Sequence, residues 1–322
     1  MVTLAIQHKT DLARGGDLLA SFGAFLRLSV ADGDASAHTL RSYHSNAAHF
    51  VTWCAGFGID PARATDTDLM GYRKALVDEG YATATVGVKL AAVRRLYDAA
   101  QWHGLRADNP AAGLKAPRER TARAERVKYL PLTGLARLLA APDPATAKGK
   151  RDRAILALMG RHGLRVAEVA SLSVGDLDLS GDQPRVTVNG KGRKTRTVYL
   201  TPPTVEALQA WLAVRPQIAN GTDALFVAVD NGHAGSPIGT MGLRWVVDSY
   251  LAGLGLKAQG ISCHALRHSA ATWARFGGAQ LDAIAGMLGH ASVTTTQVYA
   301  QVVDKMRENP AAYLDRVLEG VN

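Results

Sequence analysis

The chain has 322 residues, of which 47% are hydrophobic and 20% are charged, a balance that is ordinary for a folded protein and excludes disorder along most of its length. At about 150 residues per domain, this length predicts roughly two domains. Lys and Arg outnumber Asp and Glu by 37 to 28, giving a net charge of +9. Such a surplus favours a polyanionic partner such as nucleic acid, although solubility alone also accounts for it.

The chain carries few signs of an extracellular or membrane location. Its two cysteines, Cys54 and Cys263, cannot form a disulfide framework, and neither belongs to a CxxC pair. No apolar run reaches the roughly 18 residues that a membrane span needs. Asp11 and Arg14 fall where a signal peptide would be apolar. We therefore expect a cytoplasmic, nucleoid-associated protein that does not span a membrane.

Residues 1–17 form an N-terminal extension, and the first predicted domain, residues 18–114, is a bundle of four or five short helices. Apolar residues at helical spacing and capping residues place three of them at 38–55, 67–79 and 84–102. The third carries Lys89, Arg94 and Arg95, which we predict to contact DNA. Arg41 is a further candidate. The alternative is that these cations form the solvated face of the bundle, because residues 1–114 hold 11 basic and 11 acidic side chains.

A basic linker is predicted at residues 115–128, KAPRERTARAERVK, with six basic and two acidic side chains. Pro117 and the low apolar content argue against a helix or strand here. Such a segment is either a solvated spacer or a strap along a phosphate backbone, where Lys and Arg displace counterions. Arg118 is our candidate contact in this segment.

The second predicted domain, residues 129–322, is mixed. A helix over 151–170 is expected to break near Gly160 and Gly163. The alternation over 184–200, with Gly190 and Gly192 between two apolar stretches, predicts a β-hairpin. Further helices are predicted at 204–214, 238–254, 264–276, 279–288, 293–305 and 310–319. The predicted fold class is thus mainly α with a small β-hairpin or sheet in the second domain.

Six residues of the second domain have side chains suited to phosphoryl transfer: Arg165, Lys191, His264, Arg267, His290 and Tyr299. The arginines are permanently charged forks that match phosphate oxygens. A tyrosine with a pKa of about 10 can act as a nucleophile when a base or a positive field helps it to ionise. Lys191 or a histidine can protonate a leaving oxygen. No carboxylate cluster suited to Mg²⁺ accompanies the set, so arginine would supply the charge stabilisation.

These residues resemble, in their order and local sequence, the tyrosine recombinases of the phage-integrase family. The resemblance rests on GLRVAE (163–168), NGKGRKTRTVYL (189–200), HALRHSAATW (264–273) and LGHASVTTTQVYAQV (288–302). The first domain resembles the family's helical core-binding domain more weakly, through TLRSYHSNAAHFVTW (39–53) and TATVGVKLAAVRRLY (83–97).

The resemblance implies a role for each residue. Arg165 and Arg267 would bind the scissile phosphate. Tyr299 would attack it, leaving a 3′-phosphotyrosyl bond and a free 5′-hydroxyl, and Lys191 would protonate the departing oxygen. His264 would assist proton transfer at the tyrosine. The remaining implied positions are His290 on a non-bridging oxygen, Glu168 and His268 as supporting residues, and Arg193 and Lys194 as hairpin contacts with DNA. Neither ATP nor a metal cofactor is implied.

The resemblance also implies an assembly. Two domains would form a C-shaped clamp on duplex DNA that carries an inverted-repeat site, and four protomers on two sites would exchange strands through a Holliday junction. The last helix, 310–319, with Ala312, Leu314, Val317 and Leu318 on one stripe, would dock on a neighbouring protomer or pack on its own domain. An accessory DNA-bending protein or a second recombinase remains open as a further partner, and so does the choice between element integration or excision and Xer-type dimer resolution.

Each residue has a structural alternative when taken singly. Arg165 and Glu168 at i, i+3 are compatible with a surface ion pair, and Tyr299 with a core residue. His264 and His268 at i, i+4 are compatible with metal ligands, but no third ligand accompanies them. The hairpin cations, Lys191, Arg193, Lys194 and Arg196, are compatible with a solvated turn. The ordered set favours a recombinase over a type IB topoisomerase-like enzyme, because the layout has two domains, and over a DNA-binding protein without catalysis, because the tyrosine is present.

Overall fold

Helices form most of the computed structural model, which describes residues 18–30, 35–190, 195–229, 232–290, 292–307 and 310–319. The chain divides into two compact units, residues 1–120 and 121–322. The division falls inside the segment predicted as a linker. Within the described ranges, no helix is both long and apolar enough to cross a membrane.

The described part of the first unit consists of four helices, α1 (Leu18–Ser29), α2 (Ala37–Gly56), α3 (Asp66–Asp78) and α4 (Thr83–Trp102). Ser36 caps α2 by accepting a hydrogen bond from the Thr39 backbone, and Thr65 and Asp68 form a reciprocal capping box on α3. The bounds predicted from periodicity for α2, α3 and α4 agree with these to within one residue at each end.

Aromatic rings fill the centre of the first unit. Phe50 of α2 lies edge-on to Tyr72 of α3 and to Tyr97 of α4, with ring centroids 5.0 and 6.0 Å apart. All three rings are fully buried. This arrangement, together with aliphatic residues from all four helices, provides one core for the unit.

The cations predicted on α4 do not all lie on an open face. Lys89 is only 7% exposed, and its Nζ lies 4.9 Å from the centre of the Tyr81 ring. Burial lowers the pKa of Lys89. Arg94 donates to the carbonyl oxygens of Ala111 and Leu114, at 3.4 and 2.9 Å. Both side chains thus have partners inside the unit, and their contact with DNA stays a prediction.

The second unit is mixed, with ten α-helices and one sheet among its described residues. Its elements are α5 (Arg123–Arg126), α6 (Leu132–Ala140), α7 (Ala147–Gly160), α8 (Val166–Ala170), β1 (Leu177–Asp178), β2 (Arg185–Asn189), β3 (Thr195–Tyr199), α9 (Pro202–Val214), α10 (Thr240–Gly253), α11 (Cys263–Phe276), α12 (Leu281–Leu288), α13 (Gln297–Arg307) and α14 (Pro310–Glu319). Short 3₁₀ turns occur at Val174–Asp176, Arg215–Gln217 and Val293–Thr295.

Three features of the second unit differ from the sequence predictions. Helix α6 and strand β1 were not predicted, and α5 forms inside the predicted linker with Ala124 buried. The helical segment predicted over 151–170 breaks between Gly160 and Val166, close to the predicted Gly160 and Gly163, but its first helix, α7, begins earlier, at Ala147. Gly163 between them has φ +65°, and a Cβ at this position would lie 2.6 Å from Leu288 Cδ2. A left-handed backbone and a close approach therefore both require glycine here.

The sheet is antiparallel in the order β1-β2-β3. In the β2–β3 pair, Val186 faces Val198 and Val188 faces Arg196. The valines are buried and join the core beneath α7, α9 and α11. This core fixes β3 against the helices that carry the predicted site residues.

Candidate active site

Arg165 and Glu168 form the first part of the site at the start of α8. The backbone N–H of Arg165 donates to Glu168 Oε2 at 2.8 Å, and its Nη1 donates to Oε1 at 2.7 Å. The Glu168 side chain is 5% exposed and that of Arg165 is 43% exposed. The carboxylate therefore both caps the short helix and holds the arginine.

Arg267 of α11 is the most deeply buried arginine of the predicted set, at 2% exposure. Its Nη1 donates to the carbonyl of Gly163 at 2.8 Å and its Nη2 to that of Leu288 at 2.7 Å. Burial, followed by repulsion from Arg165, lowers the pKa of Arg267 to about 10. The guanidinium stays charged at neutral pH and is fixed by the loop before α8 and by the end of α12.

Tyr299, near the start of α13, is 2% exposed and packs in a cluster with Ile284, Leu288 and Val302. Its Oη lies 2.9 Å from His268 Nδ1. Burial raises the pKa of Tyr299, and Arg267, Arg123 and Arg165 oppose that rise. The tyrosine is thus both a core residue and a partner of a histidine, so the two interpretations of it do not conflict.

His268, predicted as a supporting residue, is the histidine that contacts the tyrosine. Its pKa is lowered to about 4 by burial and then by His264 and Arg267. The neutral ring has one unprotonated nitrogen, and when this is Nδ1 it accepts a hydrogen bond from the phenol. The described contact with Tyr299 therefore belongs to His268, whereas His264 lies beside His268 with ring centroids 4.5 Å apart.

His290 follows Gly289, whose φ of +67° ends α12 in the left-handed conformation. Its Nδ1 lies 2.9 Å from the hydroxyl of the buried Thr296, so one ring nitrogen is occupied by the protein. Burial, and then Arg267 and Arg165, lower the pKa of His290 to about 4. The same three causes lower the pKa of His264.

A pocket of about 440 Å³ opens between α8, α10 and the start of α11. Arg165, His264 and Arg267 line one part of it, and Arg244 and Asp248 of α10 line another. Three guanidinium groups on one pocket make it suited to a phosphate. Among the described residues, no group of three or more His, Cys, Asp or Glu side chains is arranged to hold a metal ion.

Some predicted residues lie elsewhere. Lys191, Arg193 and Lys194 fall outside the described residues. Arg41 and Arg118 are exposed, and Arg95 is partly exposed and 3.4 Å from Asp98.

Sequence reasoning missed three basic side chains of the site: Arg123, Arg196 and Arg244. Arg196 was treated as part of a solvated turn, but its side chain is 15% exposed and pairs with Glu168 at 2.9 Å. A usable signal existed in the strand period, because Arg196 is two residues before the buried Val198 and so shares its face. Arg123 and Arg244 carried no comparable signal.

Comparisons with known proteins cover both units. The profile of the Phage integrase family matches residues 128–306, and that of the phage integrase N-terminal SAM-like domain matches residues 24–104. Tyrosine recombinase XerC of Pelobacter propionicus is 34% identical over 277 residues, which are 85% of this chain and 88% of that protein. XerC of Mycobacterium tuberculosis is 32% identical over 295 residues, 88% of this chain and 94% of that protein.

Solved structures share the fold. XerH recombinase bound to a palindromic difH substrate, in a post-cleavage complex, has a TM-score of 0.71 at 20% identity and covers 92% of this chain and 96% of its own. A lambda integrase dimer bound to a COC′ core site has a TM-score of 0.67 at 16% identity and covers 91% and 96%. Because the family profile covers more than half of the chain and a relative is 34% identical over most of it, the chain belongs to the phage integrase family and is a tyrosine-type site-specific recombinase, an enzyme that cleaves and rejoins DNA.

Proposed function

We propose that this recombinase cleaves duplex DNA at an inverted-repeat site with Tyr299 as the nucleophile. The observation that carries this assignment is the contact between Tyr299 Oη and His268 Nδ1 at 2.9 Å. Arg267 and Arg165 act on the same phenol electrostatically and oppose the rise of its pKa. A phenol beside a neutral imidazole can pass its proton to it as the oxygen attacks.

The proposed reaction balances without an external co-reactant. Tyr299 Oη forms a bond to the scissile phosphorus and its proton passes to His268. The bond from phosphorus to the 5′-oxygen breaks, and the leaving oxygen takes a proton from Lys191. A 5′-hydroxyl from the other duplex then attacks the 3′-phosphotyrosine in the reverse sense. Because the phosphodiester energy is kept in that bond, neither ATP nor a metal ion is part of the proposal.

The roles that we propose for His264 and His268 differ from those implied by the resemblance. We assign the proton acceptor to His268, since it is the ring in contact with the phenol. His264 lines the pocket with Arg165 and Arg267, and we assign it, with His290, to the phosphate oxygens. Both arginines stabilise the charge that develops on the non-bridging oxygens during transfer.

DNA contacts outside the pocket are proposed for Arg41, Arg95 and Arg118, which keep exposed or partly exposed side chains, and from the sequence for Arg193 and Lys194. Lys89 and Arg94, which also have partners inside the first unit, are proposed as further contacts from the sequence. The proposed location is the cytoplasm, at the nucleoid, where such a substrate lies.

The active assembly is proposed to be a tetramer on two DNA sites. Helix α14 exposes Leu314, Val317 and Leu318, each by more than half, beside the acidic Asp315 and Glu319. An apolar groove of about 490 Å³ in the second unit is lined by Leu132, Leu135, Leu139 and Trp273, among others, with Arg153 and Arg161 at the same groove. We propose that α14 of a neighbouring copy fills this groove, since both its apolar and its charged residues match.

A type IB topoisomerase-like function is less well supported. Such an enzyme would share the pocket chemistry. The N-terminal SAM-like domain profile of phage integrases, however, matches the first unit as the family profile matches the second. Both parts of the chain therefore favour a recombinase.

Covalent trapping tests the proposed nucleophile. The protein is incubated with a pool of nicked inverted-repeat duplexes with randomised arms, and the products are separated on a denaturing gel. A slowly migrating protein–DNA adduct is expected for the wild type and is expected to vanish in Tyr299→Phe. Sequencing the trapped DNA then gives the recombination site.

Tyr199→Phe is the matched control, because Tyr199 is a phenol of the same unit that is 60% exposed. This variant should form the adduct at the wild-type level. An adduct that persists in Tyr299→Phe would exclude Tyr299 as the nucleophile. An adduct linked to a 5′-phosphate would exclude the proposed polarity of cleavage.

A further inference from the structure

Arg196 contacts two segments of the candidate active site. From its position on β3, its Nη1 and Nη2 donate to Glu168 Oε1 and Oε2, each at 2.9 Å. Its Nε donates to the Met287 carbonyl near the end of α12 at 3.2 Å. One side chain thus ties strand β3 both to the start of α8 and to the segment that leads to His290.

Glu168 is the reason that the pair with Arg196 matters. This carboxylate is 5% exposed and also accepts two hydrogen bonds from Arg165. Burial alone would raise the pKa of Glu168, but the hydrogen bonds from Arg196 and Arg165 lower it. A carboxylate has about four lone-pair sites, and the four donors of the two arginines occupy them.

These contacts determine the net charge of the group formed by Arg165, Glu168 and Arg196. One buried carboxylate beside one arginine would cancel the charge that Arg165 needs for a phosphate. With Arg196 on the same carboxylate, the three groups carry a net positive charge. Arg165 uses one terminal nitrogen on Glu168, and in the described part of the chain its other guanidinium N–H groups have no protein acceptor. They are therefore free for a ligand.

The turn before His290 is built around the same side chain. A Cβ on Gly289 would lie 2.9 Å from Arg196 Cδ and 3.0 Å from its Nε. Arg196 therefore packs directly on the backbone that ends α12. A shorter or unforked side chain would leave both this turn and Glu168 without that contact.

We propose that Arg196 is a positioning residue for DNA cleavage: by holding both oxygens of Glu168, it fixes Arg165 and leaves the charge of Arg165 available to the scissile phosphate. This inference rests on the proposed function of the pocket. It adds a residue that does not touch the substrate and acts through Glu168.

The test compares Arg196→Gln and Arg196→Lys with Arg185→Gln. Arg185 on the adjacent strand pairs with Asp178 at 2.7 Å, but both side chains are about half exposed. The readouts are the affinity for the trapped duplex, the single-turnover rate of Tyr299 adduct formation at saturating DNA, and thermal unfolding. The substrate is made with a normal scissile phosphate and with a methylphosphonate, which lacks the charge.

Arg196→Gln should slow adduct formation on the normal phosphate by about 100-fold, the order expected for lost electrostatic stabilisation, with little change in affinity. Arg196→Lys keeps the charge without the fork and should recover the rate only in part. On the methylphosphonate the variants should approach the wild-type rate, because no phosphate charge remains for Arg165 to stabilise. Arg185→Gln should match the wild type on both substrates.

A merely structural role predicts a different pattern. Equal losses on both substrates would overturn the inference, as would a wild-type rate in both Arg196 variants. If Arg196→Gln does not fold, the comparison between the two substrates is made with Arg196→Lys. If the wild-type protein itself forms no Tyr299-dependent adduct, the proposed function fails first, and the two failures are therefore distinguishable.

Discussion

The two units of the chain use basic side chains in opposite ways. In the first unit, Arg94 donates to carbonyls of the segment that follows α4, and Lys89 lies over the ring of Tyr81. In the second unit, Arg165, Arg267 and Arg244 gather on one pocket. The first arrangement satisfies donors within the fold, whereas the second concentrates positive charge where an anion can reach it.

This difference shows that a cation on a helix predicted to contact DNA can already have a partner within the fold. Residues 1–114 have no net charge, and α4 nevertheless resembled a DNA-contacting helix because of its three cations. The hydrogen-bond acceptor beside each cation determines whether its charge is engaged within the fold or is available to a ligand. Arg94 donates to two backbone carbonyls. Arg165 shares the Glu168 carboxylate with Arg196, so part of its guanidinium has no acceptor among the described residues.

The largest effect is expected for Arg267→Gln. The substitution removes a fixed charge from the pocket, so the single-turnover rate of adduct formation should fall by about 100- to 1,000-fold. Arg94→Gln in the first unit is the matched comparison: it should leave that rate at saturating DNA within a few-fold and cost about 1–3 kcal/mol of unfolding free energy. Similar rate losses in both variants would remove the distinction between the units.

Acid should destabilise the second unit through His162. This ring is 3% exposed, lies 2.9 Å from the Thr204 hydroxyl, and has its pKa lowered to about 4 by burial and then by Arg161. The unfolded chain takes up a proton below about pH 6.5, whereas the folded chain does so only near pH 4. The free energy of unfolding should therefore decline as pH falls through this window, by about 2 kcal/mol between pH 7 and pH 5 from His162 alone.

Hydrogen exchange in α7 and α9, corrected for the intrinsic effect of pH, measures that change. His162→Gln is the control and should show a smaller loss between the same two pH values. An equal loss in the variant would assign the acid sensitivity to other groups. His49 in the first unit also has its pKa lowered by burial, so α2 should respond in the same direction.

The smallest effect is expected for Arg118→Gln. If Arg118 contacts one phosphate, the slope of log affinity against log salt on a short random-sequence duplex should fall in magnitude by about 0.9. Arg63, which is 89% exposed and 3.7 Å from Asp60, provides the control substitution Arg63→Gln. An unchanged slope in Arg118→Gln would identify Arg118 as a solvated linker residue.

Sequence patterns predicted local structure better than they predicted contacts between elements. Periodicity located α2, α3 and α4 because each helix buries one apolar stripe. The same pattern is present in α6, where Leu132, Leu135 and Leu138 repeat every three residues, but this helix has only nine residues and so gives a short periodic signal. Strand β1 has only two residues and leaves no periodic signal.

In the candidate active site, too, the sequence indicated individual residues better than the contacts between elements. Resemblance to the family indicated Arg165, Arg267 and Tyr299 as one set, and in the structure both arginines act electrostatically on Tyr299. It did not indicate which histidine meets the phenol, since His264 and His268 lie one turn apart on the same face of α11. That choice depends on how α13 packs against α11, a tertiary feature. Arg196 was missed for a similar reason, because its partner Glu168 is 28 residues away.

The burial of Tyr299 limits the access of other molecules to its phenol oxygen. Its ring is part of a hydrophobic cluster and its phenol is only 2% exposed, so in this conformation water-borne electrophiles and stray phosphodiesters have little access to it. A raised pKa keeps the oxygen protonated as well. Under the proposed function, Tyr299 can therefore reach a scissile phosphate only after its packing against Ile284, Leu288 and Val302 changes.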